Sequence, residues 1–391
     1  MGLSLGLVGL GSFGSSFAPL FKSHPLVDRI ALCDREPERI REFADRPSFQ
    51  DKFSPKDAYD TLDDICKADL DALVIITQPW LHAPQAIQAM ESGKHVYSAV
   101  PLTYLPDGDE ILEWCDKVIA ACQRTGRHYM LGETTVYRPE AMYCRRRAGE
   151  GAFGAFVHAE GEYYHPFDSP GCDLRDVRKR RLASRAGQEW IAIARAYRDR
   201  GVLSSPMHYP THSVSGPLNV MKAYAVKVCA WGFGPAAQDA YFEDTLFSDE
   251  TALFHLSNGA TMRISEYREV GHTGSETFRV FGTEGTFRED AWVDKAARTP
   301  LSVDDMRDPL PPEVEEAFRA GLDGARDVYG GHGGSHAFLV HEFVDAIARE
   351  RTPAVSAWDA ARYMAAGVTA HKSAARDGEV LEVPDWGDAP A

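Results

Sequence analysis

The chain has 391 residues, 44% of them hydrophobic and 26% charged, and a formal net charge of −16. That length predicts two domains, and that composition an ordinary soluble globular protein. The carboxylate excess repels nucleic-acid phosphates and anionic membrane surfaces alike, so neither is expected as a partner. No apolar run nears the ~18 residues a membrane span needs, and no basic region precedes the N-terminal apolar residues, so no signal peptide is read. Cys33, Cys66, Cys115, Cys122, Cys144, Cys172 and Cys229 are odd in number and scattered without C-x-x-C. This fits a reduced, cytoplasmic protein and neither a disulfide framework nor a zinc site.

In chain order, Leu5, Leu7 and Val8 lead into Gly9-Leu10-Gly11-Ser12-Phe13-Gly14, and a helical pattern follows through Phe17, Leu20 and Phe21. A G-x-G-x-x-G run between strand and helix is a dinucleotide fingerprint. Gly9 permits the tight turn, Gly11 lets the backbone approach a pyrophosphate, and Gly14 lets helix pack on strand. The phosphates would sit with Ser12 and Phe13 at the positive end of that helix. A second strand over 29–34 ends in Asp34, placed to hydrogen-bond an adenosine ribose and to repel a 2′-phosphate, with Arg35 beside it. The cofactor expected is NAD. Next come a helix over 36–43, a strand over 71–77, a helix over 82–92 stopped by Gly93, a strand over 95–99, a helix over 107–124 and a strand over 128–131. Strands alternating with helices predict an α/β Rossmann domain with a doubly wound parallel sheet over residues 1–130.

From residue 131 the rhythm changes. Strands are expected over 156–165, 224–231, 253–257 and 261–267, the last two joined by the hairpin signal Asn258-Gly259. A second hairpin joins 277–281 to 286–288 through the turn 282–285. Meeting strands of this kind predict a C-terminal α+β domain over 131–391 with a large, mostly antiparallel sheet. Helices over 337–349 and 358–375 follow, the second capped by Ser356-Ala357-Trp358-Asp359. The tail from Pro384 is expected to be loose or laid on the surface. Residues 175–185 carry Arg175, Arg178, Lys179, Arg180, Arg181 and Arg185. They read either as a solvated loop or subunit contact, or as a site for a phosphate-bearing ligand.

Ligands of open α/β sheets bind beyond the carboxyl ends of the strands, which here means 77–82, 99–103 and 132–138. These segments bring Thr77, Gln78, His82, Val100, Pro101 and Glu133 into view. His82 reads equally as a helix cap, and Glu133 as half of a structural salt bridge. Later in the chain, Met207-His208-Tyr209-Pro210-Thr211-His212-Ser213 places Tyr209 at the mouth of a helix and His212 in its first turn. No third ligand joins His208 and His212 at metal spacing, so no metal is expected. Proton transfer fits better. The ordinary histidine pKa, near ~6.5, suits a general base, whereas the phenol of Tyr209 would need its pKa lowered.

The glycine fingerprint, Thr77-Gln78-Pro79-Trp80-Leu81-His82, Gly93-Lys94-His95-Val96 and the turn after Phe278 resemble the glucose–fructose oxidoreductase/inositol dehydrogenase (Gfo/Idh/MocA) family across nearly the whole chain. The resemblance implies a Rossmann domain, an open-faced sheet domain supporting the active site and a homo-oligomer (dimer or tetramer), and sugar or cyclitol substrates. Where that family usually has Glu-Lys-Pro, this chain has Ala99-Val100-Pro101, and the aspartate of Asp-x-Gly-x-His is lost from His208-Tyr209-Pro210-Thr211-His212. The Tyr-Pro-Thr-His form resembles the NAD-dependent α-N-acetylgalactosaminidase branch, which also lacks the lysine. By that resemblance Glu133, Tyr163, His165, Tyr209 and His212 match site positions, and Gly331-His332-Gly333-Gly334 matches a glycine-rich segment. Tyr163 and His165 are two apart on a strand and so share a face. The first expectation is an NAD-dependent oxidoreductase of a sugar or sugar derivative, with His212 as base, Tyr209 assisting, and Glu133, Tyr163, His165, His208 and His332 holding substrate. The alternatives are a redox-neutral glycosidase using NAD catalytically and a non-catalytic NAD-binding sensor.

Overall fold

The computed structural model describes residues 2–169, 174–235, 239–321 and 327–390. Six parallel strands, β1 (Leu3–Val8), β2 (Val27–Cys33), β3 (Phe53–Tyr59), β4 (Ala72–Ile75), β5 (His95–Ser98) and β6 (Tyr129–Leu131), form one sheet in the order β3-β2-β1-β4-β5-β6. The order reverses at β1/β4, which opens the ligand crevice of a doubly wound sheet at the carboxyl ends of those strands. β4 is buried throughout, as a continuous apolar run demands of a strand covered on both faces.

Nine further strands form the second sheet: β7 (Phe156–Tyr164), β8 (Ala225–Phe233), β9 (Asp249–Leu256), β10 (Thr261–Tyr267), β11 (Ser275–Gly282), β12 (Gly285–Arg288), β13 (Ala291–Asp294), β14 (Arg298–Pro300) and β15 (Leu381–Glu382). Their order is β14-β13-β12-β11-β7-β10-β9-β8-β15, and only the β7/β10 pair is parallel. The Asn258-Gly259 turn joins β9 to β10, with Gly259 at φ +86°, a conformation that favours glycine. Two C-terminal helices tie the sheets together. Ser335–Ala348 packs on the glycine-loop helix Gly14–Ser23, and Ala357–Ala374 packs on both Gly108–Thr125 and β8. Ser356 and Asp359 cap the latter helix reciprocally.

Two expectations need correction. β3 was not foreseen. It is an edge strand containing Pro55, with only Phe53 and Asp57 buried, so it lacks the apolar alternation that announces a strand. Residues 175–185 are not a loop: helices Leu174–Ala183 and Arg185–Asp199 follow one another, with Ser184 accepting from the Gly187 amide at the junction. The tail lies on the surface, held by Arg362 to Asp385 and by the Trp386 indole to Asp116. Among the described residues no helix is long and apolar enough to cross a membrane. Cys33, Cys66, Cys115, Cys122, Cys144 and Cys229 are free thiols, and Cys172 lies outside the described residues.

Candidate active site

A cleft of about 830 Å³ runs from Gly9, Gly11, Ser12, Phe13 and Gly14 past Asp34, Arg35 and Thr61 to Thr77, Gln78, His82, Val100, Tyr163, His165, Tyr209, His212 and His332. Gly9 has φ +91°, and a Cβ there would meet the Ile76 carbonyl oxygen at 2.2 Å. A Cβ on Gly14 would lie 2.0 Å from the Gly9 oxygen. Gly11 is different: its Cβ would find nothing nearer than Arg39 at 3.6 Å, so the loop backbone stays open to the cleft. The helix that starts there has no acidic residue in its first turn, leaving its positive end free for phosphate. The cradle fits a dinucleotide. Asp34 closes β2, accepting from the amides of Leu10 at 2.7 Å and Glu36 at 2.8 Å.

Some expected cofactor residues frame the cleft and do not face it freely. Arg35 forms a two-pronged ion pair with Glu189 at 2.6 and 2.9 Å, joining the Rossmann edge to the helix that covers it. His82 spans the carbonyls of Pro101 at 2.8 Å and Thr77 at 3.2 Å. Burial lowers its pKa to about 4, so it is neutral and its single N–H donates to one of the two carbonyls. Pro101 contributes that carbonyl and does not line the cleft.

At the far end lies a compact charged cluster. His212 sits in the first turn of the helix Thr211–Met221, and its Nδ1 is 2.9 Å from Glu133 Oε1 and 3.7 Å from Glu276 Oε1. Glu133 also accepts from the Thr135 amide at 2.9 Å, while Glu276 pairs with Arg138 at 2.5 Å and with the Thr135 hydroxyl. Burial disfavours the charged imidazolium of His212, but the field of Glu133 and Glu276 and the bond to Glu133 outweigh it, raising its pKa to about 9. His212 therefore rests protonated at neutral pH, which corrects the expectation of an unperturbed base. Its Nε2 has no partner among the described residues and is left for a ligand. Tyr209 donates to the Val100 carbonyl at 3.2 Å. Burial raises its phenol pKa, the opposite of what general-base work would need, so it stays a neutral hydrogen-bonding phenol.

Glu133, His212 and Glu276 carry ligand-type atoms within 4.8 Å of one another, a three-residue set absent from the sequence reading. Its charge is already balanced: two carboxylates face the His212 imidazolium and the Arg138 guanidinium. Glu133 is wholly buried and reaches the cleft only through His212. Tyr163, on β7, places its hydroxyl 2.7 Å from His165 Nδ1 and its ring 5.0 Å from that of His212. Burial, then Arg268, His212 and Arg181, hold the His165 pKa at about 3, so it stays neutral. His332 lines the cleft and bonds His336 at 2.9 Å. His208 does not join the site. It is buried against His371, bonded to the Leu105 carbonyl at 3.1 Å, and lines no part of the cleft; facing away around the turn, it cannot hold a substrate there.

A second chamber, of about 500 Å³, shares Pro79, Tyr163, His165, Val177, Arg181 and Tyr209 with the cleft. Its walls include Trp80 and Trp190, stacked 4.5 Å apart, and Tyr241. Sequence pattern missed Glu276, which faces Tyr163 across the β7/β11 register. Only the pairing of those strands would have found it.

Fold and cleft define a dinucleotide-binding protein whose second domain brings the Glu133–His212–Glu276 cluster to the end of the cleft. Residues 3–133 match the oxidoreductase family NAD-binding Rossmann fold, GFO_IDH_MocA, and residues 249–389 match the glycosyl hydrolase 109 C-terminal domain. The chain thus carries the NAD-binding Rossmann domain of the Gfo/Idh/MocA family and the C-terminal domain of glycosyl hydrolase 109. It is 26% identical to a glycosyl hydrolase family 109 protein of Streptomyces filamentosus, over 98% of this chain and 77% of that protein. It is 25% identical to an alpha-N-acetylgalactosaminidase of Tannerella forsythia, over 80% and 70% respectively. In fold it is similar to a levoglucosan dehydrogenase solved with NADH and levoglucosan, with TM-score 0.72, 20% identity and coverage of 98% and 100%.

Proposed function

We propose that the protein is a redox-neutral, NAD-dependent glycosidase. The observation that carries this reading is the glycosyl hydrolase 109 C-terminal match over 249–389, joined to an NAD-binding Rossmann domain. It moves the weight from the net dehydrogenase, the first expectation from sequence, to its alternative. The cofactor would be held by Gly9, Gly11, Ser12, Phe13 and Gly14 at its phosphates and by Asp34 at its ribose, with Thr77, Gln78 and Val100 along the cleft towards Tyr209 and His212. Asp34 favours NAD over NADP, because a 2′-phosphate would face a carboxylate only 6% exposed. When bound, the dinucleotide supplies reversible hydride acceptance at a sugar carbinol carbon.

The chain's own residues manage protons. In its neutral form His212 Nε2 accepts the proton of the substrate hydroxyl and later returns it, while Glu133 fixes the ring through Nδ1 and stabilises the imidazolium so formed. Tyr163 and Tyr209 are neutral phenols bonded to His165 Nδ1 and to the Val100 carbonyl, so Tyr163 orients His165 and the phenol oxygens are left as acceptors for a sugar hydroxyl. Oxidation to the ketone level acidifies the adjacent C–H; loss of that proton expels the glycosidic group, water adds, and reduction restores the sugar. The test is product analysis in D₂O with holoenzyme. Glycoside cleavage without NADH accumulation, with deuterium beside the oxidised carbon, is expected. One NADH released per sugar consumed restores the dehydrogenase, and tight NAD binding with neither signal across free sugars and glycosides leaves the sensor.

A further inference from the structure

The arginine-rich helix Leu174–Ala183 turns one face into the site: Val177 and Arg181 lie in the wall common to the cleft and the chamber. The other chamber cations are largely engaged. Arg178 and Arg198 pair with Asp244 at 3.3 and 3.0 Å, and Arg268 pairs with Glu266 at 2.7 Å. Arg181 is half-buried, and its guanidinium has no hydrogen-bond or ion-pair partner among the described residues. It is centrally placed, because its charge acts on His82, His165, Tyr209 and Tyr241 together. Arg181 shares the chamber wall with Tyr163, His165 and Tyr209, and no residue of the glycine loop lines that chamber, so this cation serves the substrate side. Five arginines against Glu243 and Asp244 make the chamber basic in a chain of net charge −16. A basic, partly desolvated concavity in an acidic molecule concentrates small anions.

We propose that the sugar substrate carries an anionic substituent, a carboxylate or a sulfate ester, and that Arg181 binds it in the chamber beside the Trp80–Trp190 stack. The proposal rests on the reading of this site as a sugar site. A planar guanidinium without a protein partner meets a carboxylate or sulfate through two parallel N–H donors. The stacked indoles offer an apolar wall for the face of the ring that bears the substituent. Arg195, exposed in the chamber wall and without a partner among the described residues, adds positive potential there.

The experiment is calorimetric titration of NAD-loaded protein with methyl galactosides, methyl galacturonosides and galactose 6-sulfate, comparing each charged sugar with its neutral parent. At least one charged member is expected to bind about tenfold tighter or better, in a salt-sensitive way. Arg181→Gln should abolish that difference without changing the melting temperature, and Arg181→Lys should restore part of it. Preference for the galacturonoside identifies a carboxylate, and for the 6-sulfate a sulfate ester. The proposal is overturned if neutral parents bind as well throughout, if no sugar binds, or if Arg181→Gln keeps the preference. It also fails if that variant loses about tenfold in NAD affinity, because the guanidinium then serves the cofactor. Product analysis on the same samples separates the two readings. Charge preference with NADH release removes the glycosidase alone; neutral glycosides cleaved without preference remove the anionic substrate alone.

Discussion

Glu133→Gln isolates the electrostatics of the proton-transfer cluster. Glutamine keeps an oxygen for His212 Nδ1–H and for the Thr135 amide, and removes one of the two carboxylate charges. Burial opposes the imidazolium, but Glu133 and Glu276 together raise its pKa from 6.5 to about 9. At about 1.36 kcal/mol per pKa unit, that rise is worth about 3 kcal/mol to the protonated folded state. The folded-state pKa lies above the unfolded one. The contribution is therefore fully present below pH 6.5 and is lost as the pH climbs through about 9. In the variant the burial cost stays while the larger favourable interaction is gone, so the pKa should fall to the ordinary value or lower. Thermal unfolding from about pH 6 to about pH 10 reads the stability, and ¹H–¹⁵N correlation spectra of the imidazole read the protonation directly. The native protein should lose stability across that range, and the variant should lose about 3 kcal/mol less. The acid limb of its turnover profile, which rises as the His212 base becomes neutral, should move towards acid by about two units. An imidazole that titrates at the same pH in both proteins, or one already neutral at pH 7 in the native protein, would refute the reasoning.

Gly9→Ala places a Cβ 2.2 Å from the Ile76 oxygen at a φ of +91°, so it should cost about 2 kcal/mol or more in a urea titration and abolish NAD binding. Native protein should bind NADP at least about tenfold more weakly than NAD by equilibrium dialysis; equal binding would remove Asp34 from the ribose site. Because His212 and Arg138 already balance the two carboxylates, turnover should survive exhaustive dialysis against EDTA. Loss of turnover on chelation, with recovery on adding a divalent cation, would make Glu133, His212 and Glu276 a metal site.

The glycine loop, Asp34, and the strand ends bearing Thr77 and Val100 were legible because a Rossmann unit writes its ligand site locally, in a backbone conformation only glycine tolerates and at the carboxyl ends of apolar runs. The helix start holding Tyr209 and His212 was legible for another local reason, since Pro210-Thr211 reads as a helix N-terminus and the helix begins at Thr211. What sequence spacing does not hold is the second partner of each group. Glu276 meets His212 only because β11 lies against β7, and Glu133 becomes its neighbour only because the turn Thr134–Tyr137 that it caps packs on the helix Thr211–Met221. That juxtaposition reverses the expected protonation of His212. His208 shows the converse: four residues from His212 and on the same short segment, it turns into the core against His371. Residues 175–185 look like solvated charge because their polar face dominates the composition. The inward positions, Val177, Arg178, Arg181 and Leu182, acquire meaning only where they share the chamber with Trp80 and Tyr209.

The proton inventory bears on the choice between the two enzyme readings. With Val100 in place of a lysine, buried at 6% exposure, the cluster around the nicotinamide end has one group that readily exchanges a proton, His212. The phenols of Tyr163 and Tyr209 and the imidazole of His165 are all pushed by burial towards their neutral forms. A net dehydrogenase must shed to solvent, in every turnover, the proton that His212 takes from the hydroxyl. An imidazolium favoured by two carboxylates, its Nδ1 locked to a wholly buried glutamate, releases that proton reluctantly near neutral pH. A redox-neutral cycle makes no such demand, since the proton taken on oxidation returns to the same oxygen on reduction. Both reactions start from the neutral imidazole, the minor form near neutral pH, but only the net dehydrogenase must regenerate it by release to solvent after every hydride transfer. Glu133 thus acts on both halves of the cycle without touching the sugar. Its removal should reduce glycoside cleavage more than it reduces single-turnover oxidation, measured as the NADH burst at high pH, where the imidazole is neutral in either protein.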